Sequence, residues 1–346
     1  MVRYTIERIL LAILTTVIIL TLTFFLMKLL PFDPGIGTDT AKLTYYLDQA
    51  NRVGNLIDSP TPRTDLGDPL WYIVDSGNVA HYFYLRPAID LFVIWVRGIF
   101  TSWNWGASIF IMPNVDSMIL IRDRIGVTML VNIWPALISV PLGIALGIWA
   151  ALKKNTMTDH IISTLVMIFI SIPSFITITF LMLILAYNTG WVPTQWPGAG
   201  ADALTKFKGF IIPTLSLSFG SICGYCRFTR AELTEVMSSD FLLLARTKGL
   251  TRTQTITRHA LKNAMVPILP SILSEIIGLL GGSMILEQLY GIPGVGSLYV
   301  LAIQKKDYNV LMADMSLYTL IGLVSGVFLD LSYGFIDPRI RMGSKK

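Results

Sequence analysis

Few residues of this chain are of types that do chemistry, and their spacing keeps them apart. His81, His160 and His259 stand in three polar stretches separated by long apolar runs, so no metal site is expected. Cys223-Gly-Tyr-Cys226 has the spacing of a redox pair and holds both cysteines of the chain. It lies inside an apolar run, however, without the strand–turn–helix setting of a thioredoxin-like site, and a reducing cytosol disfavours a disulfide. Two small packing residues are expected there. No Gly-rich loop ends in Gly-Lys-Ser/Thr, and neither a Gly-x-Ser-x-Gly elbow nor an HExxH pair occurs. The expectation is a chain with no catalytic residue, no metal ligand and no cofactor of its own. Glu275 is the exception among the apolar runs, with apolar sequence on both sides. A charged side chain at mid-membrane costs about 2.5–3.5 kcal/mol on insertion scales, so it must face a cavity or a partner. Two readings stay open: a group lining a substrate path, or a protonated or hydrogen-bonded link between helices. Asp330, nearer a helix end, is expected to pair with an Arg beyond that end.

The segments that must position these groups are membrane-like. Of 346 residues, 53% are hydrophobic and only 14% charged, against about 25% charged in a typical soluble protein. Mean hydropathy is +0.63. The charges cluster, leaving apolar windows at roughly 9–30, 127–152, 161–187, 209–226, 264–286 and 310–334. About 20 helical residues cross a 30 Å hydrocarbon core, so each window suffices. The fold class expected is an all-α polytopic membrane protein with six transmembrane helices. The first window is longer than a signal-peptide core and Pro31-Phe-Asp-Pro34 offers no small-residue cleavage site, so it is expected to be retained.

Lys and Arg near the spans set the orientation. With both termini in the cytoplasm, Arg3, Arg8, Lys153, Lys154, the seven bases from Arg227 to Lys262, and Arg339, Arg341, Lys345 and Lys346 all fall inside. The other side receives Lys206, Lys208, Lys305 and Lys306. It also receives an insertion with nine Asp against five Lys/Arg. The net +5 is thus topological and not a nucleic-acid footprint. The domains read as 1–30, the N-terminal tail and first helix; 31–118, an extracellular subdomain; and 119–346, the transmembrane core. Residues 31–118 carry Trp71, Trp95, Trp103, Trp105, Tyr45, Tyr46, Tyr72, Tyr82 and Tyr84, too aromatic for a disordered linker. These rings are read first as the subdomain's own core and an interfacial belt, with a docking surface as the sharper alternative. Gly143-Ile-Ala-Leu-Gly147 and Gly322-Leu-Val-Ser-Gly326 are small-xxx-small patterns that let helices approach closely.

The most informative stretch is 227–270. It is basic and carries Asp240-Phe-Leu-Leu-Leu-Ala-Arg-Thr-Lys-Gly249, a helix too short to span, with Gly249 as its stop. Thr251-Arg-Thr-Gln254 reads as a capping box opening a second helix. On a helical wheel Phe241, Leu244 and Ala245 share one side, while Leu242 and Leu243 point elsewhere. A helix apolar on several faces needs more than one cover. Its own spans supply one, and a groove in a soluble partner would supply another.

These residues resemble the inner-membrane permease subunits of ABC importers, in the dipeptide/oligopeptide/nickel branch. Ala245-Arg-Thr-Lys-Gly249-Leu250 with Arg258-His259-Ala-Leu-Lys-Asn263 and Pro267 is similar to that branch's EAA loop. Leu30-Pro-Phe-Asp-Pro34, Ser171-Ile-Pro173, Trp191-Val-Pro193, Glu287 with Gly291-Ile-Pro-Gly-Val-Gly296, Asp307-Tyr308, and Asp330, Tyr333 and Asp337-Pro-Arg-Ile-Arg341 follow in family order. The loop departs in having Leu243 where the naming acidic residue would stand. Phe32 replaces a Gly, Arg124-Ile-Gly126 stands for the usual Arg-Leu-Pro, and Glu275 is no family signature. The resemblance implies six helices of the type I ABC importer kind, with the insertion between the first two, as in the first of two permease subunits. It implies an ATPase-coupling loop at 227–263 with Asp240, Phe241, Leu244, Ala245, Arg246, Lys248 and Gly249 as contacts. It also implies partners: a second homologous permease, two cytosolic ABC ATPases holding ATP and Mg, an extracellular peptide-binding protein and the bilayer. Import of dipeptides or oligopeptides is the function expected. Nickel or another small solute is the alternative within the class. An ATPase-independent secondary transporter would want a relay of deep charges, and a receptor or scaffold would not need six spans.

Overall fold

The computed structural model describes residues 2–29, 40–74 and 77–336. The motifs at 30–34 and 337–341 fall outside them. The helices of the core are α1 (Val2–Lys28), α4 (Ser117–Leu152), α5 (Met157–Ile170), α6 (Ser174–Leu181, prolonged by a π-helical turn Met182–Asn188), α7 (Ala203–Gly209), α8 (Ile211–Met237), α9 (Asp240–Thr247), α10 (Arg252–Thr255), α11 (Leu261–Gly278), α12 (Met284–Tyr290), α13 (Val295–Gln304) and α14 (Tyr308–Ile336). The insertion contributes α2 (Thr40–Arg52), the strands β1 (Leu56–Ser59), β2 (Trp71–Val74) and β3 (Ala80–Leu85), and α3 (Ala88–Ser102). Internal contacts divide the chain into two units. One holds Met1–Leu10, Ile125–Ser297 and Ile321–Lys346; the other holds Leu11–Arg124 and Leu298–Leu320.

Five helices among the described residues are long and apolar enough to cross a membrane. The window at 161–187 is not one straight helix. It breaks at Ser171–Pro173, and its two halves, Met157–Ile170 and Ser174–Asn188, meet at 92°. Pro173 explains the break: its ring clashes with the preceding turn and it pushes Ile172 out of helical geometry. If the pair is one broken span, the count is six. The window at 264–286 also stops early, at Gly278, before α12 begins. In the other direction α8 outruns its window 209–226, because its 27 residues reach about 40 Å and its polar end extends past any hydrocarbon core.

In the second unit the insertion departs from an all-α plan. Its strands form one antiparallel sheet in the order β1-β3-β2, with Leu56 opposite Leu85 and Trp71 opposite Phe83. Tyr46, Leu47 and Ala50 of α2 pack on Leu56, Phe83 and Ile109, and Tyr46 stacks on Phe110 at 4.9 Å. Part of the aromatic set is therefore subdomain core, while Tyr45, Tyr72 and Trp103 stay exposed. Asp307, fully buried, closes this unit: its Oδ2 accepts from Ser108 Oγ (2.7 Å) and from the backbone N–H groups of Ile109, Phe110 and Ile111 at 2.9–3.1 Å.

The first unit rests on two close approaches. A Cβ at Gly143 would stand 2.6 Å from the Tyr225 Cβ, and one at Gly147 would stand 2.6 Å from the Cys226 carbonyl oxygen. The first small-xxx-small pattern thus lets α4 and α8 touch backbone to backbone, and the free thiols Cys223 and Cys226 pack beside them with Val166. Gly322 and Gly326 meet nothing within 4 Å. The second approach surrounds Glu287, 1% exposed. Its Oε1 accepts from Thr128 Oγ1 (3.0 Å) and its Oε2 from the Ser297 N–H (2.9 Å), while Thr128 Oγ1 accepts from the Val295 N–H (2.8 Å). Side chains at Gly294 or Gly296 would collide with this carboxylate, which is why the loop 291–296 is glycine-rich. Burial pushes the Glu287 carboxyl up from its ordinary range. Asp330 pairs with Arg8 of α1 at 3.0 Å; Arg339 and Arg341, the arginines beyond its own helix end, lie outside the described residues.

Gly147→Ala is expected to destabilise by about 1–3 kcal/mol through overpacking, whereas Gly224→Ala, on the open side of α8, is expected to cost nothing; thermal melts of the two purified variants make the comparison. Glu287→Ala leaves the Thr128 hydroxyl and the Ser297 N–H unpaired, so its melting should fall by an amount equivalent to about 2–5 kcal/mol.

Candidate functional site: a displayed helix and a glutamate-lined cavity

The helix α9 is built for display. Ser239 precedes it in extended geometry and Asp240 stands in its first turn, where a carboxylate complements the helix dipole. Arg246 lies in the last turn, the favourable end for a cation. Gly249 follows with φ +90° and nothing within 4 Å of an added Cβ. The constraint there is handedness of the backbone, not space. It lets the Leu250 N–H reach back to the Ala245 carbonyl (3.4 Å) and the Gly249 N–H to that of Arg246 (3.0 Å). Thr251 then caps α10: its Oγ1 accepts from the Gln254 N–H (3.3 Å), and Gln254 Oε1 accepts from the Thr251 N–H (3.1 Å). The expected capping box is present, and α10 runs through a π-helical segment, Ile256–Ala260, into α11.

Which face of α9 looks out differs in part from the wheel. Leu242 is buried in one cluster with Ala151 of α4, Leu233 of α8, and Ala260 and Ala264 where α11 begins, and Ala245 is buried as well. Phe241, Leu243 and Leu244 are exposed, at 44%, 61% and 57%. Asp240, Arg246, Lys248 and Gly249 are exposed as well. Ala245 therefore belongs to the anchoring face, and Leu243 joins the outward one. The wheel placed Ala245 beside Phe241 because the two are one turn apart, but on an eight-residue helix the seat is decided by what packs beneath it: Leu242 enters the cluster of Ala151, Leu233, Ala260 and Ala264, and Ala245, three residues on, is buried too.

Glu275 bridges three helices. Its Oε1 accepts from Ser221 Oγ of α8 (2.7 Å) and from Ser139 Oγ of α4 (3.4 Å). It also lines a cavity of about 250 Å³ with Asn132, Pro135, Leu217, Gly278 and Ser283. The carboxylate is thus tied between helices and faces a hollow. Asn132 Nδ2 donates to the Leu279 carbonyl at 3.0 Å, satisfying the end of α11.

One charged contact went unread in the sequence. Asp159, 1% exposed, takes the Arg230 guanidinium in a fork, with Oδ1 to Nε at 2.5 Å and Oδ2 to Nη2 at 2.8 Å. The Asn155 N–H (3.0 Å) and Ser163 Oγ (3.3 Å) complete the carboxylate's partners. This joins the start of α5 to α8 a turn before Leu233. The available signal was Arg230 itself, a cation close behind the apolar run of α8 that needs a partner. Among the described residues no group of three or more His, Cys, Asp or Glu is gathered as for a metal.

With this geometry in hand, the likenesses to known proteins fall on the same elements. The family model described as "Binding-protein-dependent transport system inner membrane component" matches residues 143–342, from the α4–α8 contact through α9 and the Glu287 loop. The dipeptide transport system permease protein DppB of Lactococcus lactis subsp. cremoris (strain MG1363) is 34% identical over 342 residues, covering 99% of this chain and 100% of that protein. DppB of Bacillus subtilis (strain 168) is 29% identical over 100% of both chains. The oligopeptide transport system permease protein OppB of Escherichia coli (strain K12) is 30% identical, over 99% of this chain and 100% of that one. Among solved structures, an inward-facing MetNI methionine ABC transporter aligns with a TM-score of 0.51 at 18% identity, over 64% of this chain and 97% of that one. That likeness concerns the fold, a multi-helix ABC importer permease. The chain belongs to the family of binding-protein-dependent transport system inner membrane components.

Proposed function

We propose that this chain is a non-catalytic translocation subunit of an ATP-driven importer of dipeptides or oligopeptides, set in the cell membrane with both termini in the cytoplasm. The observation that carries this reading is that similarity to permeases named for dipeptide and oligopeptide transport runs the whole length of the chain. In this reading it pairs with a second homologous permease and two cytosolic ABC ATPases, which hold the ATP and Mg, and it receives peptide from an extracellular binding protein.

The mechanism follows from which helices share two sites. The exposed Phe241, Leu243 and Leu244 enter a groove in the ATPase, with Asp240, Arg246 and Lys248 as polar contacts around them and Gly249 setting the turn. The inner face is seated on α4, α8 and the start of α11 through Leu242, with Ala245 also buried. Those same helices supply Pro135, Leu217 and Glu275 to the cavity. From Leu233 to Leu217 along α8 is about 24 Å. When ATP binding draws the ATPases together, a pull on α9 reaches the cavity walls through packed, continuous helices. The coupling has free-energy content only because the partner differs between its nucleotide states. Glu275 lines the peptide path, held by Ser139 and Ser221 in one of the states.

Phe241→Ser combined with Leu244→Ser is expected to leave membrane insertion intact while ATPase co-purification and peptide uptake fall at least tenfold. Uptake at the parental rate would remove α9 from the coupling role. Gly249→Asp, which strains the left-handed turn, should likewise insert normally and release the ATPase. Glu275→Leu should insert and keep its ATPase yet transport poorly; full uptake by that variant would retire the cavity role of this residue while leaving the α9 assignment untouched.

A further inference from the structure

In the second unit, α3 is an apolar helix of 15 residues, too short to cross a bilayer. Its inner side stacks on the last turns of α1: Phe92 lies 5.3 Å from Phe24 and 5.4 Å from Phe25, and Trp95 lies 5.2 Å from Phe24. Its other side is bare. Ile89, Val93 and Phe100 recur at helical spacing and are exposed by 68%, 58% and 85%. α1 itself is almost wholly exposed along its apolar window, the surface of a lipid-facing helix. α3 meets α1 within a turn of the place where the apolar run of α1 gives way to Lys28.

Behind α3, at the same level, are two adjoining cavities of about 310 and 400 Å³. Lys28, Asn55 and Leu91 stand in the walls of both. The first adds Arg52, with Trp95 and Ile94 as an apolar wall; the second adds Arg86 and Lys306. Among the described residues no carboxylate lines either one. Arg52 is paired with Asp48 at 2.9 Å on its own helix, and Arg86 Nε donates to the Gly54 carbonyl at 2.8 Å, leaving other guanidinium N–H groups for a ligand. Lys28 Nζ lies over the Phe24 ring at 5.4 Å. Lys28, Arg52 and Arg86 around two adjoining hollows, with amide donors and one greasy wall, are complementary to an anion that carries hydrocarbon.

We propose that this place binds an anionic phospholipid: the phosphate-bearing headgroup lies among Lys28, Arg52, Arg86 and Asn55, and the acyl chains run down the exposed side of α3 and α1. The lipid would hold α3 in the membrane boundary, as amphipathic interfacial helices are held by apolar burial together with attraction to anionic headgroups. A free phosphate would use the cations but leave Ile89, Val93 and Phe100 bare.

The test is native mass spectrometry of the assembled transporter, stripped of lipid in detergent and titrated in parallel with phosphatidylglycerol, phosphatidylcholine and inorganic phosphate. The parent is expected to retain phosphatidylglycerol at least fivefold over phosphatidylcholine, and inorganic phosphate not at all. Lys28→Ala with Arg86→Ala is expected to lower phosphatidylglycerol retention to the phosphatidylcholine level, while Lys206→Ala with Lys208→Ala, on α7, leaves it at the parental level. Should the first pair fail to assemble, Arg52→Gln is read instead, with a drop of at least threefold expected. Equal retention of the two lipids by the parent, undiminished retention by the Lys28/Arg86 or Arg52 variants, or binding of phosphate alone would overturn the proposal.

Discussion

In the proposed reading, the seating of α9 is the contact on which the first unit's coupling turns. An eight-residue helix has no stability of its own in water, since a nucleus of fixed residues gains few hydrogen bonds. Leu242 supplies what is missing by entering a pocket whose floor is Ala151, Ala260 and Ala264 and whose wall is Leu233, and Ala245 is buried on the same helix. Three alanines in that floor bring the backbones of α4 and α11 close enough for so short a helix to touch both. Because the inner face is satisfied, the outer face is free to remain apolar and exposed. A longer or better-buried helix would have hidden Phe241, Leu243 and Leu244, and a polar one would have had nothing to offer a groove.

Around this seat the first unit alternates between stiff and yielding backbone. The Asp159–Arg230 fork fixes α5 against α8, and Gly147 fixes α4 against α8 with no side chain between them. The Glu287 carboxylate fixes the loop after α12 to Thr128 of α4. Between such points lie the break at Pro173 and two π-helical stretches, Met182–Asn188 and Ile256–Ala260. A π segment carries one more residue per turn than its neighbours and often marks a functional place in a helix. The second of them joins α10 to α11, between the displayed helix and the cavity that Glu275 lines. Rigid blocks joined at a few irregular turns are suited to the rocking motion that alternating access asks for.

Much of this was legible before any coordinates, where the governing physics is local. Apolar windows mark the spans because the bilayer sets a length, and Gly249 and Thr251–Gln254 mark helix ends because caps are chemistry of adjacent residues. Gly143 and Gly147 marked a close helix pair for the same reason, although their partner on α8 was not deducible. What the chain hid is non-local. Asp159 and Arg230 are 71 residues apart, and Asp307 caps a turn nearly 200 residues earlier. The inward face of α9 depends on three alanines from two other helices, so the wheel found an apolar face but assigned Ala245 to the wrong one. Pro173 was visible, yet whether it kinks a span or folds it back on itself depends on what packs beneath it. The sheet of the insertion was masked by its aromatics, which suit a strand and an interfacial belt equally.

The claim that α9 is the handle by which a soluble partner moves this chain is tested most directly by amide hydrogen exchange over residues 239–250. The measurement compares the permease pair alone with the pair bound to its ATPases. The account predicts slow exchange at Leu242–Ala245 in both samples' inner-face amides and new protection across Phe241–Gly249 once the ATPases are bound, changing again with nucleotide state. Exchange over this segment that is the same with and without the ATPases would contradict it.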